Sequence, residues 1–280
     1  MRVPNVVRLF SLAVFTGAAL TASAADAPLR LYVLDCGRIE FKDMAMFSDT
    51  GEYDGKSGKL VDTCYLIRHP KGTLLWDTGL GDKIADQKGG VDNNGIHMYV
   101  DVTLRQQLQD LNLTPKDITH LAFSHFHFDH TGNANLFTNA TWILNSDELA
   151  GALAPKPTIA EDASLLSARD QVKTQMIDGD YDVFGDGTVK ILKAHGHTPG
   201  HQVLEVKLAH SGTIILAGDL YHTRENRQER RVPPINTNRA DTLASMDRIE
   251  RIVQNTHARL IIQHNPEDVA SLPKLPGYLD

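Results

Sequence analysis

The seven residues Ser124-His125-Phe126-His127-Phe128-Asp129-His130 constrain this chain more than any other stretch. They follow the mostly apolar run Ile118 to Ser124, which reads as a strand. On an extended backbone alternate residues share a face, so His125 and His127 can point at one ion. A turn after them lets Asp129 and His130 reach a second ion nearby. Imidazole and carboxylate together suit zinc, manganese, cobalt or iron. A fold that carries this segment ends a strand at a metal site, and other strands must end there to complete it.

Three more strand ends qualify. His195-Gly196-His197-Thr198-Pro199-Gly200-His201 follows the predicted strand Val189 to Ala194, and its Gly and Pro fix a tight turn that can hold His197 inward. The runs Leu216-Ala217-Gly218-Asp219 and Ile261-Ile262-Gln263-His264 each close an apolar strand with one donor. Alone, a strand-end aspartate is more often a turn residue, and a lone histidine more often a surface or hydrogen-bonded one. In company they read differently. His125, His127, His130, His197 and His264, with Asp129 and Asp219, make two adjacent metal sites.

The remaining pattern supplies the scaffold. Leu29 to Asp35, Val61 to Arg68 and Thr73 to Asp77 read as strands, the last two joined by the turn His69-Pro70-Lys71-Gly72. Thr141 to Leu144, Gln202 to Leu208, Thr213 to Ala217 and Leu260 to Gln263 read likewise. Leu104, Leu108 and Leu111 have helical spacing, as do Leu243, Met246, Ile249 and Ile252, and a helical segment starts near Ser146. A weaker helical signal covers 158–172. Strands come in two batches, each closed by a helix, which predicts a layered α/β domain with covered sheets. Two long loops are expected, one from Cys36 to about Lys59 and one over Gly79 to Gly95.

The first residues are read as a targeting segment. Arg2 and Arg8 precede the apolar run Leu9 to Leu20, and Ala22-Ser23-Ala24 supplies a small-residue cleavage pattern, so residues 1–24 read as a secretory signal peptide. The run is too short for a membrane anchor, which needs roughly 20 apolar residues. The mature chain, 25–280, is then expected as one hydrolase domain, secreted or periplasmic. A net charge of −7 lacks the basic stripe that phosphate binding needs, so nucleic acid is not an expected partner. Cys36 and Cys64 are expected to be small buried residues that do not pair.

The order HxHxDH, GHTPGH, GD and a strand-terminal histidine resembles the metallo-β-lactamase superfamily over essentially the whole mature chain. That resemblance implies an αββα sandwich of two mixed sheets covered by helices, with two divalent ions at one edge: zinc first, with iron, cobalt or manganese also compatible. It implies His125, His127 and His197 on one ion, Asp129, His130 and His264 on the other, and Asp219 between them. The stretch LLWDTG makes Asp77 a carboxylate that orients a ligand imidazole. His201 and His195 are implied as supports beside the site.

Within the superfamily the chain is most similar to the N-acyl-homoserine lactonases. The shared stretches are HFHFDHTGNANLFTNA, IDGDYDVFGDG, GHTPGHQ, Thr223-Arg224-Glu225-Asn226, LYVLDCGRI and GKLVDTCYLI. This implies opening of an acyl lactone ring by a metal-bridging hydroxide, with Asp129 assisting the departing oxygen. Some of these lactonases place a tyrosine three residues after the bridging aspartate; here His222 stands there and Tyr221 precedes it, so either is expected to steady the carbonyl. Met44, Met46, Phe47, Ile96 and Met98 are the expected contacts of the acyl tail. A small-molecule acyl lactone is the expected partner, with a homodimer compatible. Rival activities on such a site are hydrolysis of another ester, lactone, phosphotriester or β-lactam. A metal-dependent oxygenase and an inactive metal-binding protein fit the complete ligand set less well.

Overall fold

The computed structural model describes Met1, residues 28–156 and residues 163–280. The expected signal peptide, beyond Met1, lies outside the described residues, as does the start of the helix expected over 158–172. The described remainder of that stretch forms two single 3-10 turns, 163–166 and 169–171, rather than one helix.

Thirteen strands are present among the described residues, in two sheets. The first sheet holds β1 (Arg30–Phe41), β2 (Gly58–His69), β3 (Gly72–Trp76), β4 (Val91–Asn93), β5 (Ile96–Tyr99), β6 (His120–Ala122), β7 (Thr141–Asn145) and β8 (Thr174–Ile177), in the order β4-β5-β1-β2-β3-β6-β7-β8. The second holds β9 (Tyr181–Asp182), β10 (Val189–Lys193), β11 (Gln202–Leu208), β12 (Gly212–Leu216) and β13 (Arg259–Ile261), in the order β13-β12-β11-β10-β9. Both sheets are mixed: β3, β6, β7 and β8 run parallel, as do β12 and β13. The helices are α1 (Leu104–Asp110), α2 (Phe128–Thr131), α3 (Ser146–Ala152), α4 (Arg224–Glu229), α5 (Arg239–Thr256) and α6 (Pro266–Ala270).

Three apolar layers make this the expected αββα sandwich. Tyr65, Ile67, Leu74 and Trp76 of the first sheet meet Ile191, Leu204, Val206 and Ile214 of the second. On the outer face of the first sheet, Leu34, Leu66 and Leu75 pack under Leu104 and Leu108 of α1. On the outer face of the second, Leu192, Val203 and Ile215 pack under Met246 and Ile249 of α5. The alternation of strand side chains forces this: each sheet has two apolar faces, so each needs a partner on both sides.

The structure corrects two expectations. The first expected loop is partly strand, because β1 continues to Phe41 and pairs there with β5, which begins just past the second expected loop, while the short β4 falls inside that loop. Arg38-Ile39-Glu40-Phe41 alternates outward and inward, and Ile39 and Phe41 are buried. Cys36 and Cys64, expected to stay apart, are bonded to each other, with Cα atoms 5.8 Å apart. The β1–β2 register pairs Leu34 with Cys64, and an irregularity between Asp35 and Gly37 brings Cys36 within reach.

Candidate metal centre

Strands of both sheets end at one edge of the sandwich, and the donors lie just past those ends. Asp77 follows β3, and His125 follows the neighbouring parallel strand β6. The turn expected after His127 is the short helix α2, which carries Asp129 and His130 back toward the same edge. From the second sheet come His197 beyond β10, Asp219 beyond β12 and His264 beyond β13. Gly218 is required where it stands, at φ +51°, because a Cβ would lie 2.7 Å from His201 Nε2.

Two groups that could hold a metal ion result: His125, His127, His197 and Asp219, then Asp129, His130 and His264, with the donor atoms of each group within 4.8 Å of one another. Asp219 faces both. Its Oδ2 is 3.3 Å from His197 Nε2 and 3.7 Å from His125 Nε2, while its Oδ1 is 3.2 Å from His130 Nε2 and 2.9 Å from His264 Nε2. His222 Nε2 lies 3.0 Å from Oδ2. Asp129 Oδ2 is 3.9 Å from His130 Nε2 and 3.8 Å from His264 Nε2.

The outer nitrogens fix which way the rings present their lone pairs. His264 Nδ1 meets the Val61 carbonyl at 2.8 Å, and a carbonyl only accepts, so this nitrogen carries the proton. His130 Nδ1 meets the Asp77 carboxylate at 3.0 Å, and His197 Nδ1 meets Asn236 Oδ1 at 2.8 Å. In the neutral rings Nε2 is then an acceptor, yet His197 Nε2 faces His125 Nε2 at 3.2 Å and His264 Nε2 faces His130 Nε2 at 3.3 Å. Asp219 Oδ1 is buried without a hydrogen-bond partner. Lone pairs converging on one another and on a carboxylate need positive charge between them, so these residues fit metal ions.

Electrostatics point the same way. Burial, reinforced by neighbouring imidazoles, holds His125 and His127 well below the ordinary histidine range. Burial also opposes a proton on His130 and His264, but Asp219 and the other carboxylates outweigh it, lifting His130 well above that range and His264 to about 9. Burial opposes charge on Asp219 too, and His264, His222 and His130 reverse the balance, holding its carboxyl well below the carboxylate range. Asp62, buried with neither oxygen hydrogen-bonded, is pushed up to about 8 by burial and by Asp129. The floor therefore gathers protons where cations would sit, and metal uptake would displace them.

Supporting groups lock this arrangement. Asp77 Oδ1 accepts from the Ser124 backbone at 2.7 Å while its Oδ2 holds His130, as expected of an orienting carboxylate. His201 Nε2 accepts the Asp219 N–H at 2.9 Å and its Nδ1 meets the Ala194 carbonyl, so it positions Asp219. Three supports escaped the sequence reading. Glu148 accepts from Phe126 N–H at 2.9 Å and Gly200 N–H at 2.8 Å, joining the two histidine loops. Gln263 donates to Asp77 at 3.0 Å and accepts from Gly218 N–H at 3.0 Å. Asn236 orients His197. Only Gln263 had a visible signal, its place beside His264.

A family model described as the metallo-beta-lactamase superfamily matches residues 58–264, which includes every one of these donors. The chain belongs to the metallo-β-lactamase superfamily. Among curated members of this superfamily, it is 30% identical over 262 residues to the N-acyl homoserine lactonase AttM of Azorhizobium caulinodans, covering 90% of this chain and 99% of that protein. It is 26% identical over 256 residues to the N-acyl homoserine lactonase AiiA of Bacillus thuringiensis subsp. kurstaki, covering 89% and 98%. A solved structure of an N-acyl homoserine lactone hydrolase, with the product N-hexanoyl-L-homoserine at its catalytic metal centre, superposes with a TM-score of 0.76 at 26% identity, covering 89% of this chain and 98% of that one.

Above the metallo-β-lactamase floor lies a cavity of about 70 Å³, with His127, Asp129, Asp219, His222 and His264 on one side. Of the five expected tail contacts Met46, Phe47 and Ile96 line it, joined by Ile39, Phe41, Leu60, Phe128 and Ile235. Met44 and Met98 do not. Met44 lies over Gly58, and Met98 stands opposite Ile39, which is the residue that reaches the cavity. Tyr221 is also corrected: its ring is buried in the α5 layer and its hydroxyl donates to Glu250 at 3.0 Å, away from the floor. His195 lines a surface groove with Lys193, Asp241 and Arg248, and its Nδ1 faces Asp147 at 3.7 Å rather than a donor of the centre.

Proposed function

We propose that this protein opens the lactone ring of N-acyl homoserine lactones. The observation that carries the reading is the contrast inside one cavity: a floor of histidines and aspartates under a wall that is apolar throughout. That pairing suits a molecule with a hydrolysable ring at one end and a hydrocarbon tail at the other. The volume beside the floor has room for a small ring, so the tail runs outward over Phe128 and Ile235, both exposed at the mouth. Full-length similarity to N-acyl homoserine lactonases supports the same choice.

In this reading His125, His127 and His197 would hold one metal and Asp129, His130 and His264 the other, with Asp219, which faces both groups, available to each. Zinc is the first choice for this donor set. Two such ions, when bound, supply Lewis acidity and a water acidified toward neutral pH. The chain's own groups do the rest. His222, whose Nε2 stands 3.0 Å from Asp219 Oδ2 and whose ring packs on Phe47 beside the cavity, would turn that N–H to the substrate carbonyl once Asp219 engages metal. Asp129 borders the cavity and is placed to return a proton to the departing ring oxygen. The apolar wall excludes water from the tail side.

Mature protein mixed with butanoyl- and decanoyl-homoserine lactone should release acid as the rings open, and a chelator-stripped sample should not. Protein shown to carry two metals that opens neither lactone would sink the reading. Replacing His222 by Ala should slow turnover on the order of 100-fold, the size seen when one carbonyl-stabilising donor is lost, with both metals retained. Tyr221→Phe should leave the rate unchanged and cost about 1 kcal/mol of stability through the lost hydrogen bond to Glu250. A large rate loss in Tyr221→Phe would return the carbonyl contact to the tyrosine.

We also infer export to a periplasm or the medium. The N-terminal pattern of residues 1–24 motivates it, and the Cys36–Cys64 bond suits an oxidising compartment.

A further inference from the structure

The run Thr223-Arg224-Glu225-Asn226 takes no part in the chemistry above, yet Asn226 is fully buried and both ends of its amide are engaged. Its Oδ1 accepts from Thr223 N at 3.0 Å and Thr223 Oγ1 at 3.1 Å, closing the start of α4. Its Nδ2 donates to the Phe47 carbonyl at 2.8 Å and, more weakly, to the Arg231 carbonyl at 3.3 Å. Capping the helix needs only the oxygen. The donor end is surplus to the cap, and it reaches the residue whose ring forms the cavity wall and lies 4.8 Å from the His222 ring.

The rest of that loop is fastened to the same segment. Asp49 N donates to Val232 O at 2.8 Å, Tyr53 Oη meets Thr223 Oγ1 at 2.7 Å, and Arg239 Nε pairs with Asp49 at 2.5 Å. The Arg231 guanidinium stands 5.2 Å over the Tyr53 ring. This segment runs directly on from Asp219 and His222.

We propose that Asn226 is a positioning residue that sets substrate preference. By tying Phe47 to the segment that follows Asp219, it keeps the apolar wall and the polar floor at a fixed separation. It rests on the lactonase reading of the cavity.

Asn226→Asp isolates the tether, because it keeps an acceptor toward Thr223 and turns the donor into an oxygen facing the Phe47 carbonyl. With the metal-loaded variant, KM for decanoyl-homoserine lactone should rise about fivefold to tenfold, the scale of one lost buried hydrogen bond. KM for the butanoyl substrate should change less than about twofold, with kcat and metal content kept. In a Phe47→Ala background the same substitution should produce no further change in the decanoyl-to-butanoyl ratio. Backbone amides of residues 44–53 should exchange hydrogen faster in Asn226→Asp than in the parent, a readout that needs no turnover. Equal loss on both substrates in both backgrounds, or unchanged exchange over 44–53, would overturn the tether. If the parent opens neither lactone, the lactonase reading fails by itself, and the exchange comparison still decides whether Asn226 holds the wall.

Discussion

Asp219→Ala should lose metal and activity together. One carboxylate oxygen faces His125 and His197 and the other faces His130 and His264, so a single substitution removes the carboxylate that faces both groups. Partners one step removed from a metal already change affinity on the order of 10–100-fold, and a donor shared by two ions should matter more. Turnover should fall roughly a thousandfold or further once the charge that develops at the carbonyl is unsupported. Metal analysis of the purified variant beside lactone hydrolysis checks this. Two retained ions with near-normal turnover would show that Asp219 does not bridge. Asp219→Asn is the informative companion, since it keeps the shape but offers one acceptor oxygen, and should hold at most one ion.

Opening the Cys36–Cys64 bond should have the largest effect on stability. The two cysteines are 28 residues apart, and closing a loop of that length removes enough unfolded-state freedom to be worth roughly 3–4 kcal/mol. For a chain of this size that corresponds to about 10 °C in Tm. The double variant Cys36→Ala/Cys64→Ala avoids leaving buried hydroxyls and should melt lower by that amount, as should parent protein treated with reductant. An unchanged Tm in both would mean that the unfolded chain gains nothing from losing the bond. Gly79 packs against Cys36, and its carbonyl accepts from Gly132 N–H at 2.8 Å, two residues after His130. The bond therefore sits two contacts from the metal floor, and its loss should also make chelation easier.

The donors were legible because each needs the same local event, an apolar strand that stops and a chain that turns, and that event leaves a pattern within a few residues. His264 depends on company: Ile261-Ile262-Gln263-His264 is an ordinary strand end by itself and takes its meaning from the other three motifs. What stayed hidden depends on pairings distant in sequence. Whether Cys36 meets Cys64 turns on an irregularity in β1 that no spacing reveals. Tyr221 and His222 are adjacent, and the extended backbone at Tyr221 sends neighbouring side chains opposite ways, one into the α5 layer and one to the floor. Glu148 and Asn236 act on loops far from them in the chain, and neither stands in a pattern. The long β1 was hidden for a different reason: Gly37 and the charged residues beyond it look like loop until their alternation with Ile39 and Phe41 is counted.

Part of the wall comes from a different part of the architecture than the floor, and this has an evolutionary consequence. The donors lie, most of them buried, just past the ends of strands held between covered layers, where a substitution disturbs close packing. Ile96 belongs to the β4–β5 hairpin at the margin of the first sheet, and Met46 and Phe47 to the loop that precedes β2. Sequence change at a margin is tolerated far better than change in a core. Under the proposed reading, a lineage would exchange one chain length for another by altering Met46, Phe47 or Ile96 while inheriting the donor set intact, so that preference diversifies faster than chemistry.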